Sequence, residues 1–238
     1  LVERQPSMSL STTPVLSDMN SSNSNHVVTT TVTTPIIKHR SNIPSLVCAI
    51  MASLTTGGTT YAFGLYGAAM KKTLHLSQGQ LDTISTAFFF AGLFSWIPGL
   101  CADRYGTRFA MSLGGTMGCA SLLTYWAVAR QFLAVPHAWL VVTLSILGIS
   151  IFLSSALVTG SVFKIIVASC GPGTKGSAVG VAKGYVGLGA GAYACIFDAI
   201  RQPGESDLDF LPMAAFFAMT CATLPALLLL PSRETLQQ

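Results

Sequence analysis

Lys183 has the most unusual setting of any charged residue in this sequence, because it interrupts a long apolar segment. It follows Lys175 by eight residues, which places it about 12 Å further along the axis of an α-helix. An ionisable side chain at that depth in an apolar helix is a functional candidate by default. Two functional interpretations are a contact for an anion and a partner in a charge switch. Two structural interpretations stay open beside them: the flexible chain reaches the surface, or it pairs with a carboxylate from another part of the protein.

A second candidate is the segment Gly99–Arg108, which places one Asp and two Arg between two apolar segments. Gly99 would let two helices approach closely, and Gly106 permits a turn conformation closed to other residues. Asp103 can pair with Arg108 or accept a hydrogen bond from a helix N-terminus. Such a loop can act as a latch, although an ordinary basic hairpin at a membrane surface contains the same residue types.

Hydroxyl groups and glycines are mixed in the first apolar segment, over 55–64. The candidates to line a polar path through the molecule are Thr56, Thr59, Thr60, Tyr61 and Lys183. The same hydroxyls could instead form hydrogen bonds between helices, each contributing about 0.6 kcal/mol. The residue types fit both alternatives.

The elements that must position these residues are membrane-spanning helices. Of the 238 residues, 51% are hydrophobic and only 9% are charged, against about 25% charged residues in soluble domains. The mean hydropathy is +0.59. This composition argues against a soluble enzyme or a disordered regulator and predicts a lipid bilayer as the surroundings. The net charge of +4 is scattered without a dense Lys or Arg run, so no nucleic-acid partner is expected.

Six apolar segments each reach the roughly 20 residues with which an α-helix crosses a bilayer. They cover about 45–67, 82–102, 109–129, 139–162, 176–198 and 210–230. Backbone groups in lipid must be satisfied internally, and the short alternating segments of a β-barrel are not seen. The predicted fold class is therefore all-α: a polytopic integral membrane protein with a bundle of six transmembrane helices over 43–231.

The segments on either side of this bundle differ from it. Residues 1–42 are rich in Ser, Thr and Asn and are predicted to be a disordered cytosolic tail, and 232–238 are predicted to begin a cytosolic linker or C-terminus. Because the sequence begins with Leu1 rather than Met, we expect its natural N-terminus to lie further upstream. The connections on the side of the termini carry seven Lys and Arg and those on the other side four, which favours both termini in the cytosol.

The fifth apolar segment carries a stripe of glycines at helical spacing. They are Gly176, Gly180, Gly184, Gly187 and Gly191. Each glycine lowers helix stability by roughly 1 kcal/mol relative to alanine. Five on one stripe therefore predict close packing against another helix, or a helix that must slide or bend.

The sequence contains few features that would support catalysis or metal binding. The six cysteines are scattered without a C-x-x-C spacing, and the four histidines are isolated from one another. No His or Cys has the spacing that would ligate a metal or activate a nucleophile. We expect no enzyme activity, no metal and no cofactor.

The pattern G-x-x-x-D-R-x-G-x-R over Gly99–Arg108, between a second and a third predicted helix, resembles the signature loop of the major facilitator superfamily. Two further segments narrow the resemblance to its nodulin-like branch. One is 56–67 with 76–82, and the other is Lys175–Gly191, which is similar to the R-G-x-V-x-G-x-x-K-G-x-x-G-L-S-G segment of that branch. In that segment Lys175 stands where the branch has its first Arg, and Gly189 stands where it has Ser. In the signature loop, Thr107 stands where the superfamily often has a basic residue.

This resemblance implies the N-terminal six-helix half of a major facilitator fold. In that superfamily the signature loop closes the cytosolic side of the transporter. The residues expected to form this gating loop are Gly99, Asp103, Arg104, Gly106 and Arg108. The expected partners are the lipid bilayer, a small-molecule solute and a second six-helix half, from the same full-length chain or from a second copy.

Two hypotheses of function follow from these observations. The first is a secondary transporter that moves a small solute by alternating access, with this chain as its N-terminal half. The second is a non-transporting six-helix scaffold, sensor or subunit. A reading frame that continues into six more apolar spans would favour the first hypothesis. Within it, Lys183 favours an anionic solute.

Overall fold

A computed structural model of the protein describes residues 43–170, 173–202, 204 and 206–230. All regular elements in these ranges are helical. The predicted tail over 1–42 and the predicted linker over 232–238 lie outside the described residues, and both stay predictions.

The described chain contains nine α-helices, two 3₁₀ turns and one π-helical segment. The α-helices are α1 (Ile43–Thr60), α2 (Phe63–Thr73), α3 (Gln78–Phe90), α4 (Trp96–Tyr105), α5 (Thr107–Ala129), α6 (His137–Ser169), α7 (Lys175–Ile200), α8 (Phe210–Ala218) and α9 (Leu224–Leu229). The 3₁₀ turns Ala91–Phe94 and Asp207–Asp209 precede α4 and α8, and the π-helical segment Met219–Thr223 joins α8 to α9.

The first span, Ser45–Thr73, is interrupted at Tyr61 between α1 and α2. The Tyr61 amide still donates to the Gly57 carbonyl oxygen at 3.1 Å, as in an α-helix. The Leu65 amide donates instead to the Ala62 carbonyl oxygen at 2.9 Å, three residues back. The helix is therefore broken where the sequence places its run of hydroxyls and glycines.

The second predicted segment, 82–102, is longer than expected and bent. Its helix α3 begins with a capping box, in which the Ser77 hydroxyl accepts from the Gln80 amide and the Gln80 side chain accepts from the Ser77 amide. Between α3 and α4 the axis bends by 45°. Pro98 lies in the first turn after this bend, where it has no N–H to continue the helical hydrogen bonds.

Length and apolarity allow four helical stretches of the described chain to cross a membrane. They are Ser45–Thr73, His137–Ser169, Lys175–Ile200 and Asp207–Leu229. The bent pair formed by α3 and α4 makes a fifth if it is one span. The predicted segment 109–129 is helical, as α5, but is not among them. All six predicted segments are thus helical, while the predicted number of six membrane spans is not confirmed.

Helix α5 packs against other helices through glycines. A Cβ atom added at Gly114 would lie 2.8 Å from the Ser154 carbonyl oxygen of α6. One added at Gly115 would lie 2.1 Å from Thr223 Oγ1. Glycine and hydroxyl residues at such close contacts are less apolar than the residues of a lipid-facing helix, and they lower the hydropathy of α5.

Helices α1 and α7 cross in direct backbone contact. A Cβ atom at Gly57 would lie 1.8 Å from the Val186 carbonyl oxygen. One at Gly189 would lie 2.3 Å from the Leu54 carbonyl oxygen. We call this contact the α1–α7 crossing, defined by Gly57 and Gly189. Glycine is required at both positions, since any side chain would push the helices apart.

The predicted glycine stripe of α7 lies away from this crossing. A Cβ atom would meet no described atom within 4 Å at Gly176, Gly180, Gly184, Gly187 or Gly191. Only 17% of the apolar part of α7 is buried. Close packing there stays a prediction for a segment outside the described residues, since within the described chain no helix packs on this stripe. The reason is rotational: Gly189 lies about 200° around the helix from Gly187 and Gly191.

Candidate functional site

A cavity of about 650 Å³ lies among α1, α4, α6 and α7, next to the break after α1. Four of the five residues predicted to line a polar path border it: Thr56, Thr60, Tyr61 and Lys183. The fifth, Thr59, does not. The structure therefore brings together side chains from two helices that are more than 120 residues apart in the chain.

The polar wall of the cavity is formed where α1 meets α6. Thr60 donates a hydrogen bond from its hydroxyl to Ser155 Oγ at 2.6 Å. The Ser155 hydroxyl lies 3.5 Å from the Thr56 carbonyl oxygen, and the Thr56 hydroxyl donates to the Ala52 carbonyl oxygen at 2.9 Å. Hydrogen bonding between helices and lining of a path, the two alternatives from the sequence, thus occur in the same residues.

Lys183 lies on the α7 side of the cavity and is exposed. No residue of the described ranges forms an ion pair or a hydrogen bond with its side chain. Tyr61, at the helix break, is 57% exposed and brings a phenol to the same space. The cavity thus contains an accessible ammonium group beside a wall of hydroxyls.

Thr59 points to a different part of the bundle. Its hydroxyl donates to the Thr55 carbonyl oxygen at 3.0 Å. Its side chain borders a small gap, of about 10 Å³, against α5 and the last span. The assignment of Thr59 to the path is therefore corrected: one residue of advance turns the side chain by about 100°, and Thr59 falls on the packed side of α1.

The gating-loop residues lie at the junction of α4 and α5. Gly106 has φ +92°, which agrees with the prediction of a turn conformation that favours glycine. Gly99 does not mediate close helix packing, since no described atom lies within 4 Å of an added Cβ; it borders the cavity instead. Arg104 lies one turn further along α4, with its side chain exposed.

The predicted pair between Asp103 and Arg108 is not formed. Asp103 forms an ion pair with Lys164 near the end of α6. The Lys164 ammonium also donates to the Ala102 carbonyl oxygen at 3.1 Å. Arg108 donates to the Leu227 carbonyl oxygen of α9 at 2.8 Å. The loop therefore ties α4 to α6 and α5 to α9, rather than closing on itself.

Sequence reasoning missed Lys164 as a member of this site. The one feature of the sequence that marks Lys164 is its position directly after the uncharged interval 131–163. A lone lysine at the end of an apolar helix, with an aspartate in a loop on the same predicted side of the membrane, is the pattern that would have indicated the pair.

Comparison with known proteins identifies the family of the chain. The sequence model of the Nodulin-like family matches residues 44–237. The chain belongs to the Nodulin-like family. The resemblance to the nodulin-like branch is thereby confirmed, and the apolar helices of the described residues make the chain a multi-pass integral membrane protein.

One solved structure and one curated relative show how much of a larger protein the chain matches. The inward-open xylose transporter XylE from E. coli superposes with a TM-score of 0.55 at 14% sequence identity, over 83% of this chain and 49% of that protein. Protein NUCLEAR FUSION DEFECTIVE 4 of Arabidopsis thaliana is 24% identical over 178 residues, which are 73% of this chain and 29% of the relative. The chain spans about half of the solved transporter and less than a third of the relative.

Proposed function

We propose that this Nodulin-like chain is the N-terminal half of a secondary transporter, and that its cavity is this half's part of the path for a small solute. The observation that carries the proposal is the position of Thr56, Thr60, Tyr61 and Lys183 on one cavity. A purely structural bundle has no need for an accessible ammonium group beside hydroxyls in an apolar setting.

The open side of α7 supports a second half as partner. The glycine stripe has open space along its whole length, and Gly187 of that stripe also borders the cavity. A second six-helix half, from the same full-length chain or from a second copy, would cover the stripe and enclose the cavity near the bilayer midplane. Alternating access would then be a rocking of one half on the other.

The gating loop fits the inner end of such a transporter. Its contacts to Lys164 and to the Leu227 carbonyl oxygen join α4, α5, α6 and α9 at one end of the bundle. With both termini in the cytosol, as the Lys and Arg distribution favours, this end faces the cytosol. The proposal places the closing contacts there.

Cysteine accessibility in the full-length gene product tests the path. In a background without the native cysteines, Tyr61→Cys and Thr159→Cys probe the cavity, while Val142→Cys and Ile146→Cys probe exposed apolar positions of α6 away from it. A charged methanethiosulfonate reagent that does not cross membranes is applied from each side in turn.

Under the proposal, the two cavity positions react and the two α6 controls do not, since the reagent reaches only water-filled space. The side from which the cavity reacts should change when the protein alternates. If Tyr61→Cys and Thr159→Cys stay unlabelled from both sides, the cavity is not a path, and the non-transporting scaffold, sensor or subunit becomes the better assignment.

A further inference from the structure

The charge balance of the cavity points beyond the proposed function. Its lining contains one cationic side chain, Lys183, and no Asp or Glu. The lysine therefore has no counter-charge in the described part of the chain. Lys183 is exposed in the described chain, so an anion can reach its ammonium group. Once a second half encloses the space, an ammonium group there without an anion becomes unfavourable.

The carboxylates of the described helices and turns are engaged or lie elsewhere. Asp103, Asp207 and Asp209 form ion pairs with Lys164, Arg201 and Arg130 respectively. Asp82 accepts a hydrogen bond from the Gln78 side chain at 3.0 Å. Asp198 borders a separate cavity with Arg201. Asp82, Asp103, Asp207 and Asp209 would have to break existing contacts to neutralise Lys183, and Asp198 lies on a different cavity.

A second cavity of similar size continues the same charge pattern. It has a volume of about 700 Å³ and shares Gly160 and Phe163 of α6 with the first. Lys175 and Lys164 border it, and its lining contains no Asp or Glu; Lys164 is paired with Asp103, which leaves Lys175 as the net positive charge there. Lysines at the approach to a site raise the local concentration of anions and speed their arrival.

The lining of the first cavity also indicates the chemical nature of the rest of the anion. Phe152, Phe163 and Val186 supply apolar surface in the same lining as the hydroxyls. Its volume of about 650 Å³ falls within the range of sites that enclose small organic molecules, roughly 300–1,000 Å³. A bare inorganic ion would leave most of this surface without a contact.

We infer that the solute is a small organic anion, whose carboxylate binds the Lys183 ammonium while its apolar part lies against Phe152, Phe163 and Val186. This inference rests on the proposed function. It assigns to Lys183 the first of the roles that the sequence left open, and to Lys175 the attraction of the anion toward the cavity.

Charge selectivity of labelling tests the role of Lys183 directly. In the full-length gene product with Thr159→Cys as the sole cysteine, the rate of reaction with sulfonatoethyl methanethiosulfonate, an anion, is compared with that of its trimethylammonium analogue, a cation. Lys183→Gln should lower the anion-to-cation rate ratio on the order of tenfold, because one positive charge near the thiol is lost. Lys183→Arg should retain the ratio, and Lys72→Gln, an exposed lysine outside the cavity, should leave it unchanged.

Protection by solutes tests binding. Succinate and lactate should slow labelling of Thr159→Cys, and Lys183→Gln should abolish that protection, while xylose, a neutral sugar of similar size, should have no effect. A rate ratio that does not respond to Lys183→Gln overturns the inference. So does protection that persists in Lys183→Gln, protection by xylose alone, or no protection by either carboxylate, which is the result expected if Lys183 pairs with a carboxylate of another segment.

The outcomes separate this inference from the proposed function. Labelling of the cavity from alternating sides without charge selectivity keeps the transporter and rejects the organic anion. An absence of labelling at every cavity position rejects the transporter itself.

Discussion

The two sides of α7 differ in what lies against them. On one side, Gly189 lies against the backbone of α1 at the α1–α7 crossing, with no room for a Cβ atom. On the other, the five glycines of the predicted stripe face open space. Glycine thus has two uses in one helix: it permits a contact inside this chain on one face and leaves a bare surface on the other.

The difference teaches that small residues at helical spacing identify a surface but not its partner. The α1–α7 crossing can be formed by the described chain alone. The stripe needs a further segment, a second copy or lipid to cover it. A comparison of substitutions on the two faces can therefore separate folding of this chain from assembly with the proposed second half.

The largest effect is expected at the crossing. Gly57→Ala places a Cβ atom against the Val186 carbonyl oxygen, and because that atom belongs to the backbone, the whole helix must move. We expect the free energy of unfolding to fall by about 3 kcal/mol, measured as thermal or denaturant unfolding in detergent.

Gly64→Ala is the matched control for this substitution, since it makes the same change on α2 where no described atom lies within 4 Å of the new Cβ. Its effect should stay within about 1 kcal/mol. Equal effects of the two substitutions would mean that the crossing is not a close contact.

A smaller effect is expected on the open face, in the full-length gene product. Gly184→Leu adds a bulky side chain to the stripe. If a second half packs there, overpacking should lower stability by about 1–3 kcal/mol and reduce transport. Gly79→Leu, at an exposed glycine near the start of α3, controls for the added apolar surface. An unchanged unfolding midpoint for Gly184→Leu would indicate that lipid covers the stripe.

The smallest effect concerns the polar contact that accompanies the crossing. Tyr193 of α7 covers Gly58 with its ring and donates its hydroxyl to Thr55 Oγ1 at 3.0 Å. Tyr193→Phe should cost about 0.6 kcal/mol, the typical value for such a bond between membrane helices. Tyr185→Phe, on the same helix but without a described hydrogen-bond partner, should leave the unfolding midpoint unchanged. A loss much above 1 kcal/mol for Tyr193→Phe would mean that the hydroxyl has a further role.

The sequence predicted the helices well because hydropathy reports the surroundings averaged along a segment. Each of the six apolar segments is helical. Lys183, selected because it lies deep in an apolar segment, borders the main cavity. The hydroxyls of Thr56, Thr60 and Tyr61 were placed with it for the same reason, since polar groups in an apolar segment need a polar destination.

What could not be predicted was rotation about the helix axes and contact between distant segments. Thr59 and Gly189 differ from their neighbours only by turns of about 100° per residue, which a hydropathy average does not resolve. The partner of Asp103 was missed because Lys164 is 61 positions away in the sequence, and its choice over Arg108 depends on how α4 lies against α6.

The ion pair between Asp103 and Lys164 is made by side chains that are 64% and 42% exposed, respectively. Attraction between exposed charges is screened by dissolved salt, over a distance of about 8 Å at physiological ionic strength. The α1–α7 crossing consists of uncharged backbone contacts and has no such dependence. Added salt should therefore loosen the gating-loop end of the bundle and leave the crossing intact, so that two parts of one small membrane domain respond differently to the ionic strength of the solution around them.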